Sequence, residues 1–161
     1  MTFAIRPIEP RDDAAMAAII RDVMREFAAV GPGYSINDPE VNFMSSAYGE
    51  PRCSYFVIEH GGAIAGGAGI GPLLGADSQT CELRKMYFRP GLRNLGAGSA
   101  ILRRCLDSAR GMGYRRCYLE TLTSMSQAAR LYERSGFRPV TRPLGNTGHS
   151  ACDRWYLLEF G

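Results

Sequence analysis

Apolar and polar residues alternate along this chain with two different periods, and the points where the period changes outline its elements. Phe3 to Ile8 reads as a short first strand, ended by Pro7 and Pro10. Asp12 and Asp13 then favour a helix start, because acidic groups offset the partial positive charge of a first turn. Over residues 13–29 the apolar positions Ala15, Ala18, Ile19, Val23 and Phe27 recur at helical spacing, while Arg21, Asp22, Arg25 and Glu26 fall mostly on the other side. That pattern predicts an amphipathic helix packed on another layer. Gly31-Pro32-Gly33 ends it, and residues 31–50 form a turn-rich segment with a short helix expected near Asp38 and Pro39.

Residues 53–59 favour a second strand, His60 to Gly62 a hairpin turn, and residues 63–70 a returning strand of small residues. Gly67-x-Gly69 is followed by Pro72 where a dinucleotide-binding turn needs its third glycine, and no helical pattern comes after it. These glycines therefore predict close strand packing or a bulge. A turn around Gly75 to Ser78 leads to a strand over 82–88, the punctuation Pro90-Gly91, and a helix from Ala97 to about Met112. Ala97, Ile101, Cys105, Ala109 and Met112 line one side of that helix, and Arg103, Arg104, Asp107 and Arg110 favour the other. A strand over 114–121, a helix over 126–135 stopped at Gly136, a strand over 137–140 and a closing strand over 154–160 complete the order. With no internal repeat or low-complexity linker, residues 1–161 predict one domain of mixed α/β class.

Composition narrows the function. A chain of 161 residues, 45% apolar and 22% charged, is ordinary for a globular protein and long enough to bury about 70% of its unfolded surface. No stretch approaches a membrane span, and residues 2–8 lack the basic start and long apolar core of an export signal, so a cytoplasmic location is expected. The five cysteines are scattered, with no C-x-x-C and only two histidines to help, so free thiols and no metal site are expected. A net charge of +3 suits an anionic small ligand and is too weak and dispersed for nucleic acid.

The most informative stretch is the strand, turn and helix start from Glu82 to Gly98. The first N–H groups of a helix have no carbonyl partner, and Gly96 and Gly98 let an anion approach them closely. Arg93 adds a forked, charged donor. A nucleotide phosphate loop would place Lys and Ser or Thr after the glycines, whereas here Gly98 is followed by Ser99 and Ala100.

Residues 80–140 resemble the Gcn5-related N-acetyltransferase (GNAT) superfamily. Arg93-Asn94-Leu95-Gly96-Ala97-Gly98 is similar to its Arg/Gln-x-x-Gly-x-Gly/Ala acyl-CoA signature, and Ala128 to Phe137, with Leu131, Tyr132 and Gly136, resembles its helix-to-strand block. The resemblance implies a twisted, mostly antiparallel sheet of about seven strands flanked by helices, splayed between strands 82–88 and 115–121. Acetyl-CoA is then the implied co-substrate: its pantetheine arm pairs with main-chain groups of Met86, Tyr87 and Phe88, and residues Arg93 to Gly98 hold the pyrophosphate. The family often carries Asn seven residues before the helix tyrosine. This chain has Met125 there, leaving Ser126 or Ser124 as the polar group.

Acetylation of an amine needs a group to take the amine's proton and another to protonate the leaving thiolate. By resemblance Glu82 is the expected base, with Glu120 and His149 as alternatives, and Tyr132 the expected acid. A phenol pKa of ~10 lies above that of a thiol at ~8.5, so Tyr132 can hold the proton it donates. A backbone N–H near Met86 is the expected carbonyl polariser. The glycine-rich segment 143–155 and Tyr34 are expected to border the acceptor, with His149 in contact and Arg84 meeting a carboxylate. A small amine or amino-acid-like acceptor is expected, with a peptide amine as the alternative. A non-catalytic acyl-CoA-binding module is the rival class. Trp155 to Leu158 could finish the sheet or form a homodimer contact.

Overall fold

The computed structural model describes residues 2–161. Seven strands form one sheet: β1 (Phe3–Pro7), β2 (Ser54–His60), β3 (Ala63–Pro72), β4 (Thr80–Phe88), β5 (Arg116–Thr121), β6 (Arg138–Val140) and β7 (Arg154–Glu159). Four α-helices accompany them: α1 (Asp13–Glu26), α2 (Met44–Ala47), α3 (Ala97–Gly111) and α4 (Ser126–Arg134). The spatial order is β1-β2-β3-β4-β5-β7-β6, and β4 with β5 is the one parallel pair among the described residues. The mixed, mostly antiparallel architecture expected from the sequence is thus observed. The final strand is not an edge: β7 inserts between β5 and β6 and finishes the sheet from within.

Period-two alternation in β2 divides the core into two layers. Phe56 and Ile58 pack with Ile101, Leu102 and Cys105 of α3 and Tyr132 of α4. Tyr55 and Val57 point the other way, into Met16, Ile19 and Ile20 of α1 and Met44 of α2. Burial of each such side chain contributes about 1.5–3 kcal/mol.

The α1 register differs from the spacing read in the sequence. Ala15 and Ala18 are exposed, and the buried stripe is Met16, Ala17, Ile19, Ile20, Val23 and Met24. The bulkier methionines and isoleucines remove more apolar area from water than the alanines, so they set the face. The helix also stops at Glu26, and Ala28 adopts a left-handed φ of 55°. Between 31 and 50 the backbone makes single turns at Ser35–Asn37 and Pro39–Asn42 before α2. All five cysteines are free, with Cys81, Cys105 and Cys117 buried and Cys53 and Cys152 half-buried.

Two irregularities shape the centre of the sheet. Opposite Ala68, β4 inserts both Lys85 and Met86 between the pairs Gly69↔Arg84 and Gly67↔Tyr87, a bulge in which Lys85 takes a left-handed φ of 48°. The bulge and the tight packing expected from the glycines are both present. A Cβ on Gly67 would lie 2.6 Å from the Tyr55 ring and 2.9 Å from Met16 Sδ. The second irregularity is the splay. β4 and β5 pair only at Thr80↔Arg116, Cys81↔Cys117 and Glu82↔Tyr118, and beyond Glu82 they part.

Candidate active site

The parting strands open two adjoining cavities, and Met86, Tyr87, Met125 and Ala128 line both. The larger, of about 450 Å³, runs along β4 toward the start of α3. Gly96 is the N-cap of α3, with a left-handed φ of 81° and no side-chain cap, so the first amides of the helix are left for another acceptor. A Cβ at Gly96 would meet nothing within 4 Å, whereas one at Gly98 would lie 3.0 Å from Leu131 Cδ2. Asn94 also takes a left-handed φ, 68°, in the turn before the helix. This cradle of open amides and glycines fits a pyrophosphate.

Of the residues expected along this track, Met86, Tyr87, Phe88, Arg93, Asn94, Gly96, Gly98 and Ser126 line the cleft. Leu95 and Ala97 do not: Leu95 is exposed and Ala97 is buried in the core. Arg93 is already engaged, with its guanidinium bonded to both carboxylate oxygens of Glu26 and to the Phe88 carbonyl at 2.9 Å. Val23 and Glu26 of α1, with Phe27 just after it, also line this cleft, a contribution that amphipathic spacing alone does not reveal.

The smaller cavity, about 70 Å³, gathers residues from five separate stretches of the chain. Glu82, Arg84, Tyr132, Tyr34 and His149 all line it, so the expected catalytic pair and all three expected acceptor contacts converge. The hydroxyl of Tyr132 has no hydrogen-bond partner among the described residues, and its ring packs edge-on to Phe137. Burial raises the phenol pKa well above its ordinary value. Glu82 is 6% exposed, and burial raises its pKa too, although Arg84 Nε bonds it at 3.0 Å and opposes the shift. Arg84 further donates to the Pro72 carbonyl. The guanidinium expected to meet an acceptor carboxylate is thus taken up by Glu82 and the main chain.

Around this pair lies a charge network that no local motif announces. His149 Nε2 bonds both oxygens of Asp38, at 2.8 and 3.0 Å, and Lys85 Nζ reaches Asp38 at 2.6 Å and Glu40 at 3.2 Å. Tyr55 donates to the Lys85 carbonyl at 2.6 Å, so the left-handed residue is held at both its ammonium and its backbone. Glu120 accepts from Tyr118 and Thr147. Glu82, Glu120 and His149 each bring one atom within 4.8 Å of the others. Met125, in the position where an asparagine was looked for, packs in the α1 layer and takes a 3.8 Å contact from the Thr121 hydroxyl, while Ser124 and Ser126 face the larger cleft.

A GNAT-like sheet, splayed at one parallel pair and carrying an uncapped glycine turn beside the gap, defines an acyltransferase scaffold. The family model for the acetyltransferase (GNAT) family matches residues 16–137, and the chain belongs to that family. It is 39% identical to the uncharacterized N-acetyltransferase YjgM of Escherichia coli K12, over 96% of this chain and 93% of that one. Among solved structures, a GNAT-family acetyltransferase from Staphylococcus aureus aligns with a TM-score of 0.86 at 20% identity, covering 99% and 100% of the two chains. The yncA protein of Salmonella typhimurium, solved with its cofactor acetyl-CoA, aligns at 0.77 and 19% identity over 100% of this chain and 95% of its own. No described helix is long and apolar enough to cross a membrane.

Proposed function

We propose that this protein transfers an acetyl group from acetyl-CoA to a primary amine of a small molecule, by direct attack with both substrates bound. One observation carries the proposal: the β4–β5 ladder ends at Glu82↔Tyr118, which joins a cleft suited to a cofactor to a cavity holding Glu82 and Tyr132. The acetyl-CoA complex of the Salmonella neighbour and the N-acetyltransferase relatives support the same reading.

Acetyl-CoA supplies the activated acetyl thioester. Main-chain groups of Met86 and Phe88, at the edge freed by the splay, are the proposed partners of its amide-bearing arm, in the manner of an added strand. The α3 amides and Arg93 hold the phosphate end, Arg93 exchanging Glu26 for the ligand. The Met86 N–H polarises the acetyl carbonyl.

Glu82 takes the proton from the amine. Its raised pKa brings it nearer the operating range of a general base than an exposed glutamate. Tyr132, protonated at neutral pH because burial holds its pKa up, gives its proton to the departing sulfur. The test is release of free thiol from acetyl-CoA across a panel of amines, amino acids and peptides. Acceptor-dependent release is expected with small amines. Tight acetyl-CoA binding with no release across the panel would instead make the protein an acyl-CoA-binding module.

A further inference from the structure

Thr80 and Arg89 bracket β4, and both face β3. The Leu73 N–H donates to the Thr80 carbonyl at 3.1 Å, and the Arg89 N–H donates to the Ala65 carbonyl at 2.7 Å. The two residues are an odd number of positions apart. In a regular strand the main-chain groups of alternate residues face the same neighbour, so only even separations are allowed. The bulge at Lys85 and Met86 absorbs the odd residue. Counted back from Arg89, Tyr87 faces β3 while Met86 and Phe88 face the gap. The Phe88 carbonyl agrees, accepting from Arg93 at 2.9 Å on the side away from β3. Counted forward from Thr80 without a bulge, Met86 and Phe88 would face β3 and the gap would be left to Tyr87. The bulge therefore chooses which main-chain groups meet a ligand in the gap.

That bulge rests on a residue with no intrinsic preference for it. Lys85 has a left-handed φ of 48°, a conformation that side chains with a Cβ disfavour. Two contacts hold it there. Its ammonium, on a side chain 3% exposed, is paired with Asp38 at 2.6 Å and Glu40 at 3.2 Å. Its carbonyl accepts from the Tyr55 hydroxyl at 2.6 Å, and the Tyr55 ring is itself buried. Asp38 is also the carboxylate that His149 bonds from the loop before β7.

We infer that Lys85 is a positioning residue for the cofactor: the carboxylates at its ammonium and the Tyr55 hydroxyl at its carbonyl keep the bulge that turns Met86 and Phe88 toward the arm of acetyl-CoA. The inference rests on the acetyl-CoA reading. It goes further by tying affinity for the cofactor's arm to a side chain that lines the smaller cavity.

The test is calorimetry on the full chain with two probes. One is CoA, and the other is 3′-phosphoadenosine 5′-diphosphate, the same nucleotide end without the amide-bearing arm. Lys85→Met should bind CoA about tenfold more weakly, the equivalent of one or two hydrogen bonds, and should bind the nucleotide fragment within about twofold of wild type. Lys85→Gly should keep CoA affinity within about threefold, because glycine adopts the left-handed φ unaided. If Lys85 served stability alone, glycine would be the worse of the two, since it removes the whole buried side chain. Tyr55→Phe, which keeps the ring and loses only the hydroxyl, should weaken CoA about threefold or more and spare the fragment. It carries the same comparison if Lys85→Met does not fold. Equal losses for the two probes, weaker CoA binding with glycine than with methionine, or CoA affinity unchanged in Tyr55→Phe and Lys85→Met would overturn the inference and leave the acetyl-CoA reading standing. If wild type binds neither probe, the acetyl-CoA reading itself has failed, and this inference with it.

Discussion

His149 and Asp38 stand 111 residues apart in the chain, yet the imidazole Nε2 lies 2.8 Å from one oxygen of the carboxylate and 3.0 Å from the other. The bond clasps the loop after β6 to the turns before α2, and through Lys85 it reaches the bulge of β4. Burial disfavours the imidazolium, but the hydrogen bond and charge of Asp38 outweigh it and leave the His149 pKa raised. Asp38 is likewise penalised by burial, and His149 and Lys85 outweigh that and leave its pKa lowered.

The signs give a pH window for this clasp. A raised histidine pKa contributes stability that is fully present below the unfolded value of ~6.5 and is lost as pH rises through the folded value. A lowered aspartate pKa contributes above the unfolded value of ~3.9 and is lost as pH falls through the folded one. Thermal melts of wild type and His149→Gln should therefore differ most between the two unfolded values, ~3.9 and ~6.5, and converge as pH rises through the raised histidine value. A gap that widens with rising pH would contradict the assignment.

Tyr132 and Glu82 should separate in their kinetic signatures. Tyr132→Phe removes only the hydroxyl from a packed ring, so turnover should fall by about 10²-fold or more while acetyl-CoA affinity stays within about twofold. Glu82 acts in its deprotonated form, so wild-type kcat/KM should rise with pH through a group above the ordinary carboxylate range. In Glu82→Gln that rising limb should disappear. Unchanged turnover in Tyr132→Phe would remove the phenol from the mechanism.

Glu26 competes with the phosphate end of the cofactor for Arg93. The pair is partly exposed, at 39% and 21% for the two side chains, so it contributes about 1 kcal/mol or less to stability. Glu26→Gln should leave the melting temperature nearly unchanged and tighten CoA binding by up to about fivefold, measured by calorimetry. Weaker binding in that variant would mean that Glu26 orients Arg93 for the ligand.

Gly67→Ala should destabilise the fold by about 1–3 kcal/mol, because the new methyl would press on the Tyr55 ring, on Met16 Sδ at 2.9 Å and on the Phe56 carbonyl at 2.9 Å. Urea unfolding would report it as a lower midpoint at unchanged slope. Gly111→Ala, with nothing within 4 Å of the added carbon, serves as the benign comparison.

The cofactor side of the site was legible because it is contiguous. Residues 82–98 carry strand, turn and helix start in one run, and the local chemistry of Gly96 and the α3 amides follows from a few neighbouring positions. The acceptor side was legible only as a set of separate names. Glu82, Arg84, Tyr132, Tyr34 and His149 meet in one cavity, but Asp38, Glu40 and Lys85, which hold the charges there, have no periodicity or spacing that announces them. Lys85 read as an ordinary strand residue, and its left-handed backbone depends on pairing with β3. The face of α1 was misjudged for a related reason: Ala15 and Ala18 satisfy helical spacing, but their small side chains cannot compete for burial with Met16 and Ile20.

The placement of β7 between β5 and β6 has a consequence for how the molecule is assembled. Until residues 154–159 exist, β5 has no antiparallel neighbour and β6 has no partner at all. Tyr156, from the middle of that last strand, packs its ring against Tyr132 and donates to Glu133 on α4 at 2.9 Å. The helix that presents the proposed proton donor is therefore braced by β7, which comes after it in the chain and is made later. Synthesis halted before that strand would leave the glycine turn of α3 in place without the brace behind Tyr132.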